Sequence, residues 1–492
     1  MTLVTDGTYS TSSPERTRLR EQCEREDLVM FINSCFAATR QNEYYTDRYL
    51  ATVSIEFLHQ YTLINYRLLY ARTLAADINH FNQLQILFNL LQSGAPADLT
   101  QRSEEGALIA AALRGLPPNR VYGLFTRLQQ ARINNRRTRA VIKTYLNWRR
   151  EPDFDAIKYR NKFRSAAAHI HFQLDAELGR FLFDPSSQKT YTRPLLNQYR
   201  QAQYSAAAIY ELPFTVAESL AQKHQIPREV FLQKIQPKMT VAEKMRYQST
   251  AARTKGVKIE FDLSRAGLTK LALYILSLKQ SERRDRAVEL QAILDSAATK
   301  ALHRAPLALG RVAAVLDRSR SSLGSRERRN RPLGVALAAS CLLRNAAREY
   351  RSFWTPENEE TEYEFLTRPA GQTALAEPLL AALEWRPDLI VIVSDGYEND
   401  PPQLVDQVAR VYRETIGKEN TPEIVHMNPV FDADHYSPRR LGPTIPTVGL
   451  RDAEDIPTML GFARFTAGTT KLEDLEAYLS HRVNRMLNSD ES

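Results

Sequence analysis

Cysteine is scarce in this chain. Cys23, Cys35 and Cys341 are the only three in 492 residues. They cannot build a disulfide framework and match no zinc spacing, which favours a reducing compartment. Long apolar runs are also missing: no segment approaches the roughly 18 uninterrupted apolar residues of a membrane helix. Met1 to Arg20 is polar and lacks the apolar centre of a secretory signal. These absences lead to the expectation of a soluble, cytoplasmic protein with no membrane partner. Catalytic signatures are absent too. There is no Gly-x-x-x-x-Gly-Lys-Ser/Thr phosphate loop, no Gly-x-Ser-x-Gly elbow and no His-Glu-x-x-His helix. Nothing sets a nucleophile beside a base, so the sequence does not read as an enzyme.

What is present is an ordinary globular composition, 43% hydrophobic and 25% charged, long enough for several cores. The net charge of +9 is unevenly spread. Residues 306–492 carry 22 basic and 28 acidic side chains, whereas residues 1–305 carry 44 and 29. A basic front part beside an acidic back part implies two modules with different partners.

Residues 1–25 read as a flexible leader. From 26 to 305 the apolar spacing is helical, as in Gln83–Leu91 and Leu268–Leu278. Short breaks at Ser93-Gly94-Ala95-Pro96, Gly115-Leu116-Pro117-Pro118 and Ile226-Pro227 predict an all-helical, repeat-like module, although no period names a repeat class. Residues 306–488 change character. Apolar runs at Arg311–Leu316, Asp388–Val393 and Ile424–Met427 alternate with helical stretches, which predicts a Rossmann-like α/β domain with a mainly parallel sheet. The fold class is thus multidomain, α followed by α/β. Ligands of such sheets sit beyond the carboxyl ends of the strands, at the point where strand order reverses. That rule points to Asp317 and Asp395.

Asp317-Arg318-Ser319-Arg320-Ser321 has the form Asp-x-Ser-x-Ser at a strand end. Thr373 lies in the loop Gly371-Gln372-Thr373, and Asp395 follows the strand in Ser394-Asp395-Gly396. All donors in this set are oxygens, which suits a hard cation such as Mg²⁺. The three loops together resemble the metal-ion-dependent adhesion site (MIDAS) of von Willebrand factor A domains. The resemblance spans residues 306–488 and includes Thr447-Val448-Gly449-Leu450 and Asp452–Asp455. It implies Mg²⁺ or another divalent cation on Asp317, Ser319, Ser321, Thr373 and Asp395, with a partner's Asp or Glu completing the site. Arg320 and Gln372 depart from the family pattern, and Arg318 and Arg320 would place positive charge beside the cation.

Between Arg120 and Arg164 there are 13 Lys or Arg against three acids. Arg127, Arg132, Arg136, Arg137, Arg139, Lys143, Arg149 and Arg150 are interleaved with Tyr122, Phe125, Tyr145, Trp148, Tyr159 and Phe163. Cations neutralise phosphates and aromatic faces stack on unpaired bases, so this composition suits RNA. On one helix Arg132, Arg136, Arg139 and Lys143 would share a face. A thinner basic group runs from Lys234 to Lys258. A long helical module followed by an A domain is similar to the Ro/TROVE ribonucleoprotein family. This resemblance rests on architecture and charge, and implies small noncoding RNA as a partner. The back half also looks like A domains of bacterial multi-component systems that work beside AAA+ ATPases.

His169 and His171 are spaced so that a helix would turn them apart, and Asp432, Asp434 and His435 read as a solvated loop. The leading expectation is a non-enzymatic RNA-binding scaffold with a metal-dependent docking domain. The alternative is a protein-interaction adaptor beside an AAA+ ATPase, without RNA. A metal-assisted phosphodiesterase stands third.

Overall fold

The computed structural model describes residues 14–39, 41–43, 47–240, 243–244, 247, 263, 266–357, 362–398 and 403–488. Helices fill the front half and a parallel sheet with flanking helices follows. The helices begin where the sequence offers an Asp or Asn to take up a first-turn N–H. Asp47 accepts from Leu50 N, Asn79 from Asn82 N, Asp98 from Gln101 N and Asp175 from Leu178 N. Each such cap is worth about 1 kcal/mol. Among the described residues no helix is long and apolar enough to cross a membrane.

Five strands form the sheet: β1 (Leu309–Asp317), β2 (Ala347–Thr355), β3 (Leu389–Val393), β4 (Glu423–Asn428) and β5 (Thr447–Gly449). They are all parallel, in the order β2-β1-β3-β4-β5. The reversal falls between β1 and β3, whose carboxyl ends deliver Asp317 and Asp395.

The central strands are apolar without a break because both sheet faces are covered. Val312, Ala314 and Leu316 face one core with Val391, Val393, Val425 and Met427. Ala313 and Val315 face the other with Ile390, Ile392 and Ile424, beneath the helices Ala376–Glu384 and Leu404–Ile416. The first of these cores runs without interruption into the helical half through the helix Arg331–Ala346.

The helix Pro14–Ala37 takes in residues 14–25, which composition places in the leader; residues 1–13 lie outside the described residues. Arg25 is buried and donates to the Phe465 carbonyl at 2.7 Å. Further along the same helix, Asn33 closes the free edge of β5. Its Nδ2 donates to Thr447 O at 3.0 Å and its Oδ1 accepts from Gly449 N at 2.7 Å. One amide side chain thereby does the work of a neighbouring strand, and the front of the chain is tied to the last strand of the sheet.

Asn33→Ala would leave that buried N–H and C=O unpaired. A loss of about 1–3 kcal/mol is expected for each orphaned group, read as a lower denaturant midpoint in equilibrium unfolding.

Candidate metal and nucleic-acid sites

Asp317 ends β1, and its carboxylate accepts from Ser319 N at 2.7 Å, which folds the chain back over the strand end. Ser319 and Ser321 then stand side by side with their Oγ atoms 3.0 Å apart. Asp395 follows β3 and accepts from Tyr397 N at 3.1 Å, while Asn428 at the end of β4 donates to its carbonyl at 3.0 Å. The third loop is pinned to the first: Arg320 N donates to Gly371 O at 3.1 Å and Ala370 N to Arg318 O at 2.8 Å. Gly371 has a φ of +66°, and a Cβ there would lie 2.7 Å from Pro356 Cγ, so the turn that carries Thr373 requires glycine.

Asp317, Ser319, Ser321, Thr373 and Asp395 are all buried, between 1% and 4% exposed. Burial raises the Asp317 carboxyl, and the charge of Asp395 raises it further. Asp395 is raised by burial, with hydrogen bonds from Ser321 and Tyr397 N–H and the Arg439 guanidinium opposing the rise. Thr373 Oγ1 is buried and has no hydrogen-bond partner among the described residues. Two mutually repelling carboxylates, paired hydroxyls and an orphaned hydroxyl make a donor set short of positive charge, and a divalent cation fits that deficit.

The two arginines expected to crowd the cation do not. Arg318 turns its guanidinium outward onto the carbonyls of Pro356, Glu357 and Arg368 at 2.7–3.2 Å. Arg320 and Gln372 are exposed. The arginine that does act on the site is Arg439, which lies 4.1 Å over the Tyr397 ring and 3.6 Å from the buried Asp432. Sequence reasoning missed Arg439, Tyr397 and Asn428. Tyr397 lies two residues past Asp395 in the same loop, whereas no spacing links Arg439 and Asn428 to Asp395, and the order of β3 and β4 brings those two there. Asp434 and His435 are exposed, as a solvated loop requires, while Asp432 is buried, accepting from His435 Nδ1 at 3.0 Å and lying 3.6 Å from Arg439.

The eight basic residues separate into two sets. Arg137 binds Glu105, which is fully buried and also held by Arg67 at 2.9 Å. Arg149 grips the buried Asp155 at 2.5 and 2.9 Å. Arg127 lies 3.7 Å over the Phe88 ring and donates to Gln85 at 2.8 Å. These three are held inside the fold. Arg132, Arg136, Arg139, Lys143 and Arg150 are exposed.

The helical face differs from the expected one at its start. Asn135 caps the helix Arg136–Trp148 by accepting from Thr138 N, so the helix begins at Arg136. Arg132 lies in the preceding turn with a left-handed φ of 57°. Arg136, Arg139 and Lys143 share the helical face. Most of the interleaved aromatics are core: Tyr122, Phe125, Tyr145 and Phe163 are buried and packed on one another, whereas Trp148 is 41% exposed. In the thinner basic group, Lys238 pairs with Glu211, and Arg246, Arg253, Lys255 and Lys258 lie outside the described residues.

No family model matches the chain, and no curated protein matches it. Among solved structures, the Ro (RSR) protein of Deinococcus radiodurans is similar to it at 13% identity. The alignment covers 90% of this chain and 99% of that one, with a TM-score of 0.49.

The division of the arginines is testable by stability. Arg137→Glu sets a second carboxylate against buried Glu105 and should cost about 3 kcal/mol or more. Arg136→Glu on the exposed face should stay within about 0.5 kcal/mol of the parent. Urea denaturation of the two variants checks both.

Proposed function

We propose that the protein is a non-enzymatic RNA-binding scaffold of the Ro/TROVE kind, whose α/β region is a von Willebrand factor A-like docking domain. The observation that carries this reading is the convergence of Asp317, Ser319, Ser321, Thr373 and Asp395 at the sheet's switch point, with Thr373 Oγ1 unpartnered. Those residues would hold Mg²⁺, which would supply a Lewis-acidic position for an Asp or Glu of a partner protein. The chain's own contribution is to place few negative charges on the cation. Two carboxylates and three hydroxyls leave it electrophilic toward an outside carboxylate. The RNA part of the reading is supported by Arg136, Arg139 and Lys143, a cationic face with no ion pair among the described residues, and by exposed Trp148 nearby.

A second reading, an adaptor working with an AAA+ ATPase and without RNA, is favoured by the loss of Arg127, Arg137, Arg149 and most of the aromatics to the core.

Mg²⁺ at about 100 times its Kd should stabilise the protein by about 2.7 kcal/mol over EDTA. Asp395→Asn should abolish that gain and raise the melting temperature in EDTA, because one of two repelling carboxylates is gone. A melt with no Mg²⁺ effect on the parent overturns the docking site.

Small RNA should bind with an affinity that falls steeply with salt, and the double variant Arg136→Glu, Arg139→Glu should lose at least tenfold at low salt. Equal binding by parent and double variant in a filter assay leaves the adaptor reading.

A further inference from the structure

A second basic concentration lies where the helical half meets the sheet, far along the chain from the Arg136 helix. A cavity of about 820 Å³ there is lined by Arg48, Arg120, Arg328, Arg329, Arg331 and Arg451. They arrive from four separate segments. Arg48 opens the helix Arg48–Asn65 and Arg120 stands on the helix Pro118–Gln130. Arg328 and Arg329 form the turn before the helix Arg331–Ala346, which Arg331 opens, and Arg451 follows β5. Among the described residues no lysine lines the cavity, and Glu327 is the one carboxylate that does.

The six cations are not equivalent. Arg328 is buried and committed to buried Glu43. Arg331 binds the Arg451 carbonyl and Asp452, and Arg451 lies 3.5 Å from Asp452. These three are fixed in place by the fold. Arg48, Arg120 and Arg329 are exposed and make no ion pair among the described residues. One polar atom of the lining is also unmet: Arg331 Nε is buried and lacks a hydrogen-bond partner among the described residues. Burial, then the charges of Arg451 and Arg120, hold the His80 imidazole below its ordinary value.

We propose that this junction cavity is a binding site for an oligophosphate anion. Three free guanidiniums over a shell of fixed ones match a ligand with several closely spaced negative charges and exceed what a monoanion needs. Planar guanidinium forks engage phosphate oxygens in pairs, which accounts for arginine at the three free positions. The volume admits a triphosphate with part of an attached nucleoside, whether carried on a free nucleotide or on the end of an RNA strand. The site does not depend on the RNA reading of the Arg136 face, because the two share no residue.

Isothermal titration of the full chain with sodium tripolyphosphate, against sulfate at matched ionic strength, tests it. Tripolyphosphate should bind at least tenfold tighter than sulfate. The double variant Arg120→Ala, Arg329→Ala should lose at least tenfold of that affinity while melting as the parent does, since neither side chain has an internal partner. Arg48→Ala alone should weaken binding in the same direction and serves if the double variant fails to fold. Arg136→Glu, Arg139→Glu should bind tripolyphosphate normally, so a failure of the RNA reading leaves this result untouched. A 5′-triphosphorylated oligoribonucleotide that outcompetes ATP assigns the anion to an RNA end, and equal competition assigns it to a free nucleotide. Binding no tighter than sulfate, or undiminished binding by the arginine variants, overturns the site.

Discussion

Two carboxylates buried against each other are the constraint around which the back half of the molecule is arranged. Asp317 and Asp395 end adjacent parallel strands, so the sheet itself sets their proximity. A low-dielectric setting makes that proximity costly. The surroundings answer with backbone N–H groups from Ser319 and Tyr397, with hydroxyls, and with Arg439 approaching from the loop that follows the neighbouring strand. The tight glycine turn at Gly371 carries the buried Thr373, whose Oγ1 finds no hydrogen-bond partner among the described residues. Both fit the cation site proposed above.

Arginine does two kinds of work in this chain. Some side chains act as internal clamps, as where Arg67 and Arg137 share Glu105 and where Arg149 holds Asp155. Others stand in solvent without a partner. The distinction matters for any reading of the basic front half, because a count of positive charge treats both alike. Only the second kind can neutralise an outside anion without first breaking the fold.

The α/β region was largely legible in the sequence, and the basic module only in part. Strands buried on both faces declare themselves as unbroken apolar runs. The expected strand at Asp388–Val393 and the observed Leu389–Val393 differ by one residue. Asp-x-Ser-x-Ser is a local pattern, so a single stretch of chain determines how it folds back. The fate of Arg136 against Arg137 is not local in that sense. It depends on Glu105, about 30 residues earlier and on another helix. The start of that helix turned on Asn135, a cap that outweighed the continuing basic periodicity through Arg132. Arg439 was hidden for the same reason as Glu105, since strand order and not spacing carries it to Asp395.

The tie between Asn33 and β5 joins positions 414 residues apart. During synthesis the amide would leave the ribosome on the order of tens of seconds before the strand it pairs with. The sheet's last edge therefore cannot be sealed until nearly the whole chain is out, and the open edge is the kind that templates pairing with other chains. Cutting the molecule at the boundary between its halves would recreate that open edge permanently. An isolated α/β fragment would lack the one side chain that stands in for its sixth strand.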